Sequence, residues 1–143
     1  MSDANLRSVL RSRLLTVTGL PAMAPVNRDF TPSPNAAWVQ DAVLFGTESQ
    51  VTFPAQRADV ERTGIYQVDT YHPVGGGPVP IDTLAEAILS VFRPGQSLTT
   101  ATADRPLHVR RVSRFTLGRD GPWVRTMFRI EWRHVTQNNL TLA

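Results

Sequence analysis

The chain contains no cysteine, which excludes a disulfide framework and any thiolate metal site. It contains no lysine either: all 15 basic residues are arginine. Alanine and proline are abundant alongside them, so codon bias accounts for much of this preference, although arginine forks also suit carboxylate pairing at protein interfaces. There is no run of about 18 apolar residues from which a membrane-crossing helix could be built. The N-terminus, MSDANLRSVLRSRLL, threads arginines through its apolar positions instead of forming the continuous apolar core of a secretory signal. The expected setting is the cytosol, or an assembly made there, with no membrane partner.

Catalytic signatures are missing as well. His72, His108 and His134 are the only histidines and none belongs to a paired metal-binding motif. Asp69 has no acidic neighbour in sequence with which to share general acid and base work, so it reads as a hydrogen-bonding strand residue. No serine sits in a nucleophile-elbow context. Three glycines, Gly75 to Gly77, precede a helix, as in a phosphate loop, but Pro78 and Pro80 remove amide donors there and no GK[ST] follows. The sequence therefore reads as non-enzymatic, with no catalytic residue, metal or cofactor.

What is present is one domain's worth of chain, 143 residues, without internal repeats. Its charge is unevenly placed. Leu107 to His134 holds seven arginines against Asp120 and Glu131, leaving that stretch at +5, while eight arginines against ten acids leave the remainder at −2. Such a split implies one basic surface, suited to an acidic partner or to nucleic acid.

The organising stretch is GIYQVDTYHPVGGG, from Gly64 to Gly77, followed after two residues by PIDTLAEAILSVF. Ile65 to His72 alternates branched or aromatic residues with polar ones, which predicts a strand stopped by Pro73 and the glycines. Ile81, Leu84, Ala85, Ile88, Val91 and Phe92 then recur at helical spacing, with Asp82, Glu86, Ser90 and Arg93 on the opposite side.

This stretch resembles the tail terminator proteins of long-tailed bacteriophages, in which a strand of the form Gly-hydrophobic-aromatic-Gln-Val-Asp-x-aromatic runs into Pro-x-Gly and a helix ending in Phe. The matching residues are Gly64, Ile65, Tyr66, Gln67, Val68, Asp69, Tyr71, Pro73, Gly75 and Phe92, and looser agreement extends from about Trp38 to His134. The resemblance implies an α+β fold and a structural subunit that forms a homo-hexameric ring on the head-proximal end of the tail tube. Its implied partners are further copies of itself, the tail tube protein and the head's connector or completion protein, with DNA only as cargo through the ring. Its implied place is the head–tail junction of the virion, and the host cytoplasm during assembly.

Elsewhere the chain predicts a first helix capped by Ser2 or Asp3, with Leu6, Val9, Leu10 and Leu14 as its stripe. Gly19 to Pro34 reads as a surface connection anchored by Phe30. Trp38 to Phe45 reads as a strand that is central or covered on both sides, with Trp38 and Leu44 on one face and Val39, Val43 and Phe45 on the other. Gly46 to Thr63 reads as a long, mobile loop with a short strand at Gln50 to Phe53. A short strand near Leu98 and a hairpin of Leu107 to Leu117 with Val124 to His134 follow, then a loose tail from Thr136 to Ala143. Aligning the hairpin's apolar faces puts Leu117 opposite Val124 with Gly118 to Trp123 as the turn, and requires a bulge at Arg110 and Arg111 to keep Arg111 off the core face. The whole is expected to be a single α+β domain, an antiparallel or mixed sheet with two amphipathic helices on one face.

The expected contact residues fall into two groups. Val51 and Phe53 would bury against a neighbouring subunit while Arg57, Asp59, Glu61 and Arg62 pair across the same joint. Arg110, Arg114, Arg125 and Arg129 would form the hairpin's basic face. Alternative readings are a neck or head-closure protein of the same particle, or a small nucleic-acid-binding module using that basic face. The arginine face lacks the interleaved aromatics of a single-strand binder.

Overall fold

In the computed structural model, which describes residues 2–25, 29–50, 57–99 and 106–139, two helices cover one face of a six-stranded sheet. The elements are α1 (Asp3–Leu14), β1 (Ala22–Met23), β2 (Trp38–Gln50), β3 (Arg57–Pro73), α2 (Val79–Val91), β4 (Ser97–Leu98), β5 (Leu107–Asp120) and β6 (Trp123–Asn139). The sheet order is β1-β2-β3-β6-β5-β4. The β1–β2 pair is parallel and every other pair is antiparallel. The expected mixed α+β architecture is what the chain adopts.

The registers sort the side chains into rows across the four long strands. On the helix side lie Phe45–Gly64–Trp132–Val109, Val43–Tyr66–Ile130–Val112, Asp41–Val68–Phe128–Arg114 and Val39–Thr70–Thr126–Thr116. The predicted stripe of α1 is buried there, Leu6, Leu10 and Leu14 completely, together with Leu84, Ala85, Ile88 and Phe92 from α2 and its end. Full burial of a Leu, Ile or Phe side chain stabilises the fold by roughly 1.5–3 kcal/mol, so these two stripes fix the helices to the sheet. Local signals agree with the packing. Ser2 Oγ accepts from the Asn5 amide at 3.2 Å and caps α1. Arg13 of α1 donates Nε–H to the Val91 carbonyl at 2.9 Å, satisfying one of the orphan acceptors at the end of α2.

Gly64 shows why a glycine begins the central motif. A Cβ there would lie 2.4 Å from Trp132 Cζ2 and 2.5 Å from the Leu44 carbonyl oxygen. The indole packs directly over the bare backbone, and any side chain would displace it.

β2 is not covered on both sides, since its Leu44 face carries no helix, and the arginine face is not free of aromatics, since the exposed Phe115 lies beside Arg129. The structure corrects four further expectations. Gly46 to Thr63 is not a long loop: β2 continues to Gln50 and β3 begins at Arg57, with Glu48, Ser49 and Gln50 opposite Arg62, Glu61 and Val60 after a bulge. This end of the hairpin is polar on both faces, so the apolar alternation that marks a strand is absent. Cross-strand pairs replace it, among them Arg62 Nε to Glu48 at 3.1 Å, Arg133 Nε to Glu61 at 2.7 Å and the Thr47 and Thr63 hydroxyls at 3.4 Å. The strand predicted at Gln50 to Phe53 falls mainly on residues 51–56, outside the described residues.

The second correction is at the C-terminus, where residues 136–139, expected as tail, pair with residues 57–60 of β3, and residues 140–143 lie outside the described ones. The third is in the connection after α1, where Ala22 and Met23 pair with Trp38 and Val39. Phe30 does anchor that connection, its ring 5.4 Å from that of Trp38.

The last correction concerns the β5–β6 register. Leu107 to Val109 pair as expected, and the required bulge at Arg110 occurs, which puts Arg111 opposite Glu131. A second irregularity at Leu117 then shifts Val124 opposite Arg119, and the strands run on to a two-residue turn, Gly121–Pro122, with Gly121 at φ 61. The bulge at Arg110 moves Phe115 to the face away from the helices and Arg114 onto the helix side.

Candidate functional site: the uncovered sheet face

The face of the sheet that carries no helix is built from the alternate residues of the same four strands. Its rows are Leu44–Ile65–Glu131–Arg111, Ala42–Gln67–Arg129–Ser113, Gln40–Asp69–Met127–Phe115 and Trp38–Tyr71–Arg125–Gly118. Period-two alternation therefore gives one apolar face and one face of arginines, amides and aromatics from a single set of strands.

At one end of this face Trp38 stacks on Tyr71, ring centroids 4.0 Å apart and 5° from parallel, and Trp123 meets Trp38 edge-on at 6.0 Å. Arg125 lies over the Tyr71 ring at 5.7 Å and binds Asp69 Oδ2 through Nη2 at 3.2 Å. Gln67 Nε2 donates to the same carboxylate oxygen at 3.1 Å. Asp69 is 6 % exposed, so this carboxylate is a buried acceptor held by two donors. Burial opposes the charge of Arg125, but Asp69, Tyr71 and Asp120 together outweigh it and its pKa is raised.

In the middle of the face the arginines are differently engaged. Arg129 lies over the exposed Phe115 ring at 5.5 Å, and Arg111 Nε sits 3.6 Å from Glu131. At the far end Arg133 reaches Glu61, and on the helix side Arg62 joins Glu48 to Asp3, whose Oδ1 accepts from Nη2 at 2.6 Å.

The expected contact residues are thus dispersed. Arg125 and Arg129 share the uncovered face, whereas Arg114 is exposed on the helix side and Arg110 is the bulge residue beside a recess of about 280 Å³ that also touches Leu44, Phe45 and Trp132. Glu61 and Arg62 pair within the subunit, and Asp59 is half-buried in β3. Val51 and Phe53 lie outside the described residues, as does the side chain of Arg57.

Sequence reasoning passed over Asp41. It has the same strand parity as Val39 and Val43, so it points into the apolar layer, where an acid needs a donor. Tyr66 supplies it, donating its hydroxyl to Asp41 Oδ2 at 2.6 Å, and burial with the neighbouring carboxylate raises the phenol's pKa. The parity of Asp41 was the available signal.

Among the described residues no group of three or more His, Asp or Glu side chains could hold a metal ion. A cleft of about 490 Å³ between α1 and the β4 segment has Arg13 as the one titratable side chain among its described lining residues. No described helix is long and apolar enough to cross a membrane.

The family model for the phage tail terminator protein matches residues 5–132, which spans both helices and nearly the whole sheet. The chain belongs to the phage tail terminator protein family. A terminator is a structural protein of the virion tail, and its family is a structural one rather than an enzymatic one. One solved structure, known only by a sequence number, is similar to this terminator with a TM-score of 0.64 and 21% sequence identity, covering 95% of this chain and 96% of that one. At that identity the likeness is one of fold. No curated protein matches the chain in sequence.

Proposed function

We propose that this terminator closes the head-proximal end of the tail tube as a homo-oligomeric ring, hexameric by the family resemblance. The ring ends tube polymerisation and offers its outer surface to the connector or completion protein of the head, while DNA passes through it as cargo. The observation that carries the reading is the family match over residues 5–132. A subunit with one face committed to its own core and the other left as a shaped, charged surface is the form a capping protein needs, because capping is achieved by surface complementarity alone.

The charged surface has a division of labour. Arg125 and Asp69 rigidify the uncovered face, and Arg129, with Arg110 and Arg114 on their own surfaces, remains exposed for partners. The hairpin end with Val51, Phe53, Arg57 and Asp59, adjoining Glu61 and Arg62, is the second contact region of this reading. A polymerisation assay tests it. Sub-stoichiometric terminator added to growing tail tubes should halt elongation at one end, and tubes that lengthen unchanged in an excess of terminator would refute it.

A further inference from the structure

The sheet ends on two unusually short strands, and this leaves most of both neighbouring strands unpaired. β1 covers β2 at Trp38 and Val39, and β4 covers β5 at Leu107 and His108, with the Val109 carbonyl and amide bound by Gly95 and Gln96. From Gln40 to Gln50 and from Arg110 to Asp120, no described residue pairs with the outer edge. A long free edge is a template for another strand, and natural proteins normally cover or break it.

These two edges are matched to each other. The free part of each holds a regular six-residue run: Gln40 to Phe45, from the end of the β1 pairing to the bulge after Phe45, and Arg111 to Thr116, between the two bulges of β5. Each carries two of the protein's exposed large apolar side chains: Leu44 (49 % exposed) and Phe45 on β2, and Phe115 (41 % exposed) and Leu117 on β5. Leu44 and Phe115 also lie on the same, uncovered face. Their charges are opposite. β2 carries no arginine, its ionisable residues being Asp41, buried and bonded to Tyr66, and the exposed Glu48, which also pairs with Arg62, whereas β5 has Arg110, Arg111, Arg114 and Arg119 against Asp120. Direction fits too. β2, β3, β6 and β5 alternate in direction, so a copy related by rotation about an axis along the strands presents its β2 antiparallel to the first copy's β5.

We propose that the Arg110–Asp120 edge of one subunit pairs with the Gln40–Gln50 edge of the next, with Phe115 against Leu44, so that a continuous antiparallel sheet runs around the ring. The joint is head-to-tail, using two different surfaces, and such joints close into rings when the rotation closes. This deepens the ring reading and rests on it.

The exposure of both anchors makes the test direct. Leu44→Asp and Phe115→Asp each place a carboxylate in the joint from one side, where desolvation opposes it. Each variant alone should be monomeric by native mass spectrometry, with a melting temperature close to that of the wild-type subunit. Mixed together they should form a 1:1 dimer of twice the subunit mass, because one intact β5 meets one intact β2 while the other joint holds two carboxylates. A mixture that stays monomeric overturns the proposal, as does one variant that dimerises alone, which a two-fold joint of identical edges would give, and so does an oligomer that survives both substitutions; the last leaves the ring itself standing. Wild-type protein that is monomeric throughout overturns ring and joint together. Hydrogen exchange on the wild type gives a readout independent of variant folding: amides of both edges should gain protection on assembly, and edges equally unprotected in monomer and ring refute the pairing.

Discussion

Arg125 Nη2 lies 3.2 Å from Asp69 Oδ2, and this pair holds a carboxylate that the sheet has almost entirely removed from water. Arg129, two rows along the same face beyond Met127, pairs with no acid among the described residues and lies over Phe115 instead. Two arginines of the same strand therefore have different roles.

Arg125→Glu should destabilise the subunit by about 3–5 kcal/mol, because it leaves Asp69 buried, uncompensated and beside a second carboxylate. Arg129→Glu should change stability by less than about 1 kcal/mol while weakening partner capture. Urea denaturation of the two variants, followed by a tail-binding assay on the folded one, checks both halves.

Tyr66→Phe removes the hydroxyl that donates to Asp41 Oδ2, and because Oδ1 is buried with no partner of its own, neither carboxylate oxygen keeps a donor in the apolar layer. The expected loss is about 1–3 kcal/mol by chemical denaturation. A variant as stable as wild type would show that water reaches Asp41.

Gly64→Ala should lower stability by roughly 1–3 kcal/mol, since its Cβ would meet Trp132 and the Leu44 carbonyl at 2.4 and 2.5 Å. Gly76, whose added Cβ would meet nothing closer than the Pro73 carbonyl oxygen at 3.7 Å, should accept alanine with little change. Paired thermal melts of the two variants separate a packing requirement from a general need for glycine.

His72 is 6 % exposed, and burial lowers its pKa below the usual 6.5 even though a hydrogen bond to the Pro80 backbone favours the charged form. No charged side chain lines the pocket it shares with Thr18, Pro21, Val79 and Leu84. The unfolded chain takes up the proton first, so the contribution of His72 is complete above pH 6.5 and is lost as pH falls through its lower folded value. Denaturation midpoints from about pH 7.5 to about pH 5 should fall for wild type and fall less for His72→Gln. Parallel curves would remove His72 as the cause.

The helices, the central strand–glycine–helix unit and the α+β class were legible because Leu6, Leu10, Ile88 and Tyr66 announce their buried faces through periodicity. The Glu48 to Arg62 hairpin end was not, because its strands are held by ion pairs and backbone ladders, and neither leaves an apolar pattern in sequence. The basic face was half legible. One bulge could be deduced from the position of Arg111, but the second, at Leu117, leaves no conflict in the apolar pattern to reveal it, and it changes the partners of Arg119 and Val124. Asp41 shows the opposite case, in which strand parity marked a buried acid and only the identity of its donor awaited the fold.

The central claim is that this terminator acts at one end of a tube. Negative-stain images of purified tails mixed with the protein test it most directly: the account predicts a ring of added density on the head-proximal end only. Density along the tube wall, at both ends or nowhere would contradict it.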